Sequence, residues 1–295
     1  MISAISNTSS INATRYLNKA NNKLDTIYKR LSSGLRINSA KDDAAGLQIS
    51  NRLTSQIEGL KQGNKNAATG LAFAQTVEGA LDETTEMLQK IRTLANQAAT
   101  GTNTSAERTA IQAEVDQLCS EITRIACKTT FAGQKVLAGK NNGLVDSNGK
   151  VVLQVGANAN DTISVSLSAG FSIDGISSNS NVGSSALIVH DGIKSFSVSS
   201  AQSAQTTLAN IDKFIASVDA SRGQLGAVQN RLESTISNQE NIVENETKAR
   251  AKIRDTDYAE EAANLTAQNI MQQMAAAMLT QGNVRGQLAL SLISG

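Results

Sequence analysis

The sequence predicts a mainly α protein: a long antiparallel helical bundle with coiled-coil termini and a small β-hairpin region at its tip. Three observations carry this. None of the 295 residues is proline, the residue that removes a backbone donor and clashes with the preceding helical turn, so helices can run long without kinks. Apolar residues recur with a period of about 3.5, the spacing that packs helices along a narrow seam. Between residues 131 and 200 that period gives way to alternation and turn residues.

Near the start, Leu17, Ala20, Leu24, Ile27 and Leu31 form one stripe, too short and too lightly apolar to fold alone in water. A longer stripe runs from Leu53 through Ile57, Leu60, Ala67, Leu71, Ala74, Val77, Leu81, Leu88, Ile91, Ala95 and Ala98, with polar exceptions at Asn64 and Thr84. It predicts a single helix of roughly 80 Å. Gly59, Gly63, Gly70 and Gly79 lie inside it, each unfavourable by about 1 kcal/mol relative to Ala; close approach of a neighbouring backbone is one compensating explanation. Ser105 is the expected N-cap of the next helix, with Glu107 in the first turn to suit the dipole, and its stripe is Ile111, Val115, Leu118, Ile122 and Ile125.

Within the midsection, Val151 to Val155, Thr162 to Leu167 and Ala186 to His190 are the expected strands, with turns at Asn148-Gly149 and Asp191-Gly192. Ser177 to Ser185 reads as a Ser/Asn/Gly loop. The last long helix spans about Ala201 to Ile253, with Leu208, Ile211, Ile215, Val218, Leu225, Leu232, Ile236 and Val243 on its seam. Arg222, Gln229, Gln239, Glu246 and Arg250 interrupt that seam; polar residues there lower stability but specify register and partner. Ala267, Ile270, Met274 and Ala277, with Met271 and Met278 beside them, form a final weak stripe. Both terminal stripes need a partner, either the opposite terminus or a neighbouring copy.

The formal net charge of +1 argues against a nucleic-acid or membrane binder, since each needs clustered positive charge. The distribution is uneven, however. Arg15, Lys19, Lys23, Lys29, Arg30 and Arg36 face only Asp25 in the first forty residues, whereas Asp255, Asp257, Glu260 and Glu261 face only Arg285 near the end. The two ends are thus oppositely charged. With no charged-then-apolar leader and no apolar run of about 18 residues, neither Sec export nor membrane spanning is indicated.

Catalytic parts are scarce. His190 is the only histidine, which excludes a His-rich metal site within one subunit and the His-Glu-x-x-His motif of a metalloprotease. Cys119 and Cys127 fall roughly 12 Å apart along a helix axis, too far to bridge each other, and are read as free structural thiols. The adjacent pairs Asp42 and Asp43, or Glu260 and Glu261, point in different directions on a helix. Neither a Gly-rich phosphate loop nor a nucleophile elbow occurs. No catalytic residue, metal or cofactor is expected, and the chain is not expected to be an enzyme.

The run Arg30-Leu31-Ser32-Ser33-Gly34-Leu35-Arg36-Ile37-Asn38-Ser39-Ala40-Lys41-Asp42-Asp43-Ala44-Ala45-Gly46 closely resembles the N-terminal signature of bacterial flagellin. So do Asn51-Arg52, Gln75-Thr76-Val77-Glu78-Gly79-Ala80-Leu81, Phe131 to Leu137, Val155-Gly156-Ala157-Asn158 and Ile253-Arg254-Asp255-Thr256-Asp257-Tyr258-Ala259, in the family's order. The resemblance implies a structural subunit that polymerises into an extracellular flagellar filament for swimming motility. It implies that residues 1–40 and 258–295 are inner-tube terminal helices, that 41–139 and 200–257 form a helical rod domain, and that 140–199 are a small β-rich outer excursion without large outer domains. Terminal-helix assembly then falls to Leu17, Leu24, Ile27, Leu31, Leu265, Ile270, Met274 and Met278.

The same resemblance implies export through the flagellar type III apparatus without a cleaved signal peptide. Implied partners are further copies of the chain, the flagellar cap and hook-junction proteins, and an export chaperone at the C-terminal segment. A Toll-like receptor would read the rod layer at Gln89, Lys90, Ile91, Arg92, Leu94 and Glu114, with Lys90 where well-recognised members commonly have Arg. Two alternatives share the helical logic: a hook–filament junction protein made in few copies, and a coiled-coil adaptor that never polymerises.

Overall fold

A computed structural model describes residues 7–140, 143–167, 170–180, 182, 187–190 and 192–294. Its helices are α1 (Thr8–Ser33), α2 (Ala44–Ala99), α3 (Ser105–Lys128), α4 (Ile173–Asn179), α5 (Ala201–Arg254) and α6 (Tyr258–Ser294). Three antiparallel hairpins lie between α3 and α5 in sequence. They pair β1 (Thr130–Phe131) with β2 (Gln134–Lys135), β3 (Lys150–Gln154) with β4 (Thr162–Ser166), and β5 (Leu187–His190) with β6 (Ile193–Phe196). Contacts divide the chain into two compact units, Glu58–Val243, and Met1–Ile57 with Glu244–Gly295; α2 and α5 contribute to both.

In the unit Glu58–Val243, the long stripe of α2 becomes the buried seam that its spacing predicts. Ala67, Ala74, Val77, Leu81, Leu88, Ile91, Ala95 and Ala98 are all buried, joined by Thr84, whose hydroxyl donates to the Ala80 carbonyl and so meets no unpaired fate. Ile111, Val115, Cys119, Ile122 and Ala126 of α3, and Ile211, Phe214, Val218 and Leu225 of α5, close the same core. Few aromatics are available, yet Phe196 and Phe214 meet edge to face, as do Phe73 and Phe131.

Three of the polar residues on the α5 seam bond across to neighbouring elements. Arg222 pairs with Asp82 at 2.8 Å, the Gln229 amide donates to Glu78, and the buried Gln239 amide donates to the Val155 carbonyl at 2.8 Å. Three of the five glycines in α2 make room for the β3–β4 hairpin. A Cβ at Gly63 would lie 1.9 Å from the Val155 carbonyl oxygen, one at Gly70 would strike Leu153, and one at Gly59 would meet Ala157 at 2.8 Å. Gly79 differs, with no atom within 4 Å of such a Cβ.

Several local expectations are corrected. The N-cap of α3 is Thr104 rather than Ser105: its side chain accepts from the Glu107 N–H while Glu107 reaches back to the Thr104 N–H, a reciprocal capping box. Ser177 to Asn179 close helix α4 instead of opening a loop, because Ile173 and Ile176 supply a buried face and Ser172 caps the start. Strand β5 begins at Leu187; Ala186, Asp191 and most of the segment 181–185 lie outside the described residues. Strand β6 and the β1–β2 hairpin are too short, or too irregular in alternation, for a period to mark them.

Candidate functional site

The unit Met1–Ile57 with Glu244–Gly295 brings the chain's two ends together. On α1 a seam of residues withdrawn from solvent runs through Ser10, Ala13, Leu17, Ala20, Leu24, Ile27 and Leu31, stepping alternately by three and four, with Asn21, Thr26 and Arg30 half-buried beside it. On α6 the matching seam is Glu261, Leu265, Gln268, Gln272, Ala275, Leu279 and Gly282, with the same steps and Asn269 half-buried beside it. Two seams of this period define an antiparallel coiled-coil pair. Polar bonds set its register: Asn7 to the Gly282 carbonyl at 2.8 Å, Ser10 to Asn283, Gln272 to Asn21 at 2.8 Å, and Arg30 to Glu261 at 3.5 Å. Ala13, Ala20, Ala275 and Gly282 keep the seam thin, so the backbones approach closely.

The stripe that reads as apolar in α6 is not the one facing α1. Ile270, Met271, Met274 and Met278 are 54 to 63% exposed. Together with Ala13, Tyr16 and Ala20 of α1, the three methionines line a groove of about 750 Å³. Sequence reasoning left both partners open for this stripe; the α1-facing residues were hard to see because Glu261, Gln268 and Gln272 hide the period among polar side chains. Of the sequence-expected assembly residues, Leu24 and Ile27 are buried in the pair, Leu17, Leu31 and Leu265 are half-buried, and Ile270, Met274 and Met278 face outward.

Beyond the pair, the two signature motifs clasp each other. Gly34 ends α1 in the left-handed conformation, φ 72°, and accepts from the Thr256 N–H, while Leu35 and Asp255 form a β-bridge. Arg36 donates its N–H to the Arg254 carbonyl at 2.7 Å and its guanidinium to the Ile253 carbonyl. In the turn that follows, Asp42 accepts from the Ser39 N–H, the Ser39 hydroxyl and the Asn38 N–H. Those bonds hold its carboxyl below the ordinary carboxylate range. Asp43 caps α2 by accepting from the Gly46 N–H at 2.9 Å.

The second expected cluster lies on α2 and α3. Ile91 and Leu94 are buried in the core, whereas Gln89, Lys90, Arg92 and Glu114 face solvent. Lys90 pairs with Glu114 at 3.1 Å, and Arg92 with Asp212 at 2.7 Å. Cys119 and Cys127 are both free; burial pushes the Cys119 thiol up to about 12, leaving it an inert core residue. Among the described residues no cluster of His, Cys, Asp or Glu is arranged to hold a metal, and no helix is long and apolar enough to cross a membrane.

A family model described as the bacterial flagellin N-terminal helical region matches residues 5–142, and one described as the bacterial flagellin C-terminal helical region matches residues 208–293. The chain belongs to the bacterial flagellin family. This flagellin is similar to flagellin B of Vibrio anguillarum, 35% identical with 99% of each chain covered, and to flagellin B of Vibrio cholerae serotype O1, 34% identical with the same coverage. Each alignment runs over 373 positions against 295 residues here, so these relatives carry residues with no counterpart in this flagellin. A solved structure from Vibrio parahaemolyticus, of a protein described as flagellar hook-associated, has a TM-score of 0.55 at 15% identity, covering 72% of this chain and 100% of that one. That likeness is one of fold alone. Flagellin is a structural protein rather than an enzyme, and this chain is a subunit of the flagellar filament.

Proposed function

We propose that this flagellin polymerises through the outward stripe of its α1–α6 pair, each pair seating against pairs of neighbouring copies to form the inner wall of a tube. The observation that carries the reading is the exposed row Ile270, Met271, Met274 and Met278 beside a seam already closed. An apolar patch of this kind, rimmed by Lys19 and Lys23, is a partner surface by default. Residues 41–139 and 200–257 then form the surrounding rod layer, and 140–199 face outward from it. Contacts between copies are head-to-tail and do not close, which is how a filament grows.

The finer partners and placement belong to the same proposal. The filament stands outside the cell, after export through the flagellar type III apparatus without signal cleavage. Cap and hook-junction proteins bound its ends, and an export chaperone holds the amphipathic C-terminal segment in a groove. Recognition by a Toll-like receptor would use Gln89, Lys90, Arg92 and Glu114, the solvent-facing members of the rod-layer set.

Electron microscopy of purified monomer with and without sheared filament seeds tests the assembly reading, alongside a version lacking residues 258–295. Seeded tubes from the full chain alone are expected. Tubes from the shortened chain, or a small discrete oligomer from the full chain under polymerising conditions, would overturn it.

A further inference from the structure

The chain has five methionines, and three of them, Met271, Met274 and Met278, stand in one groove at 54, 58 and 63% exposure. Met87, by contrast, packs against the core. A thioether is apolar, flexible and polarizable, which lets it fit a partner's surface. It is also oxidised where solvent reaches it, and the sulfoxide is polar and chiral. We propose that this triad is an oxidation site through which hydroperoxides switch off subunit addition, a reading that rests on the groove being the assembly surface.

The chemistry balances without a further reactant. Thioether sulfur attacks one oxygen of hydrogen peroxide, the O–O bond breaks, an S–O bond forms, and the other oxygen leaves as water after proton transfer; sulfur loses two electrons and the peroxide gains them. Each sulfoxide then presents a strong acceptor to a surface that must be desolvated when a copy docks, and burying it unpaired weakens docking. Residue placement makes the effect cumulative. Met271, Met274 and Met278 step by three and four along one helical face, so all three enter the same contact. Unassembled monomer is the vulnerable form, because assembly covers the groove.

The test treats monomer and assembled filament with dilute hydrogen peroxide, maps each methionine by peptide mass spectrometry, and follows elongation from seeds by electron microscopy. In the monomer, Met271, Met274 and Met278 each gain one oxygen while Met87 does not, and elongation slows at least about tenfold. Methionine sulfoxide reductase restores it, and the same methionines in filaments are protected. A triple variant, M271L/M274L/M278L, keeps apolar volume, elongates and ignores peroxide. Oxidised wild type that elongates at the untreated rate overturns the switch, as does peroxide sensitivity in the triple variant, which would place the effect elsewhere, for instance at Cys127. Met274→Glu separates the two levels: if it elongates normally, the groove is not the assembly surface at all. If it is blocked while the oxidised wild type grows, only the switch falls.

Discussion

Gly63 and Gly79 lie in the same helix and have opposite surroundings. A methyl group at Gly63 would sit on a backbone carbonyl that cannot rotate away, whereas one at Gly79 meets open space. Gly63→Ala is expected to destabilise the monomer by about 1–3 kcal/mol through overpacking, and Gly79→Ala to stabilise it by up to about 1 kcal/mol through helix propensity. Denaturant unfolding of both variants checks the pair, and equal shifts would remove the docking argument. Sequence alone raised close approach for Gly59, Gly63, Gly70 and Gly79 alike and had no means to separate them, since a glycine carries no mark of what faces it. Asp42 supplies a pH prediction at the same scale. Its folded pKa is depressed by the Ser39 and Asn38 donors, so its contribution is complete above the ordinary carboxylate range and is lost as pH falls through the folded value. The stability gap between wild type and Asp42→Ala should therefore be flat near neutrality and close below about pH 4, as read from thermal midpoints against pH.

Between elements, polar residues decide more than their number suggests. Glu261 is almost enclosed, with its side chain 7% exposed, while its partner Arg30 is 31% exposed. Losing the carboxylate leaves a partly buried guanidinium, and with the screening that Arg30 retains, Glu261→Ala is expected to weaken the α1–α6 pair by about 1–2 kcal/mol. Amide hydrogen exchange in α6 should rise selectively; unchanged exchange there would show that the pair does not depend on this bridge. Gln239→Leu should loosen the β3–β4 hairpin from α5 by about 1–3 kcal/mol, because the Val155 carbonyl loses its buried donor. Exchange at β3 reports it. The α2 seam was legible because its apolar residues are frequent and regular. The α6 seam was not, since a heptad position filled by Glu or Gln looks like surface until a partner is placed against it.

For the whole chain, the contrast between units sets the order of unfolding. All the residues of the two buried apolar clusters fall within Glu58–Val243. The other unit relies on a thin seam of alanines, leucines and polar bonds. Heating is expected to melt Met1–Ile57 with Glu244–Gly295 first and Glu58–Val243 later, seen as two transitions in circular dichroism of the monomer, the first absent from a fragment covering residues 58–243. A single transition common to both would show that the terminal pair shares the stability of the core. Filament growth should raise the first transition above that of the monomer, since a partner that binds only the folded pair stabilises it by mass action.

What the sequence determined by itself was class, family and the seams of the long helices, because an unbroken period without proline admits few other folds and the signature runs at both ends are specific. Tertiary structure decided which face each terminal helix spends on the other. It also decided that Gly59, Gly63 and Gly70 of α2 receive a hairpin while Gly79 does not, that Thr104 caps α3, and that three methionines remain outside. Those outcomes depend on what lies across a gap from each residue, and a linear pattern records the spacing of side chains but not the identity of the surface they meet.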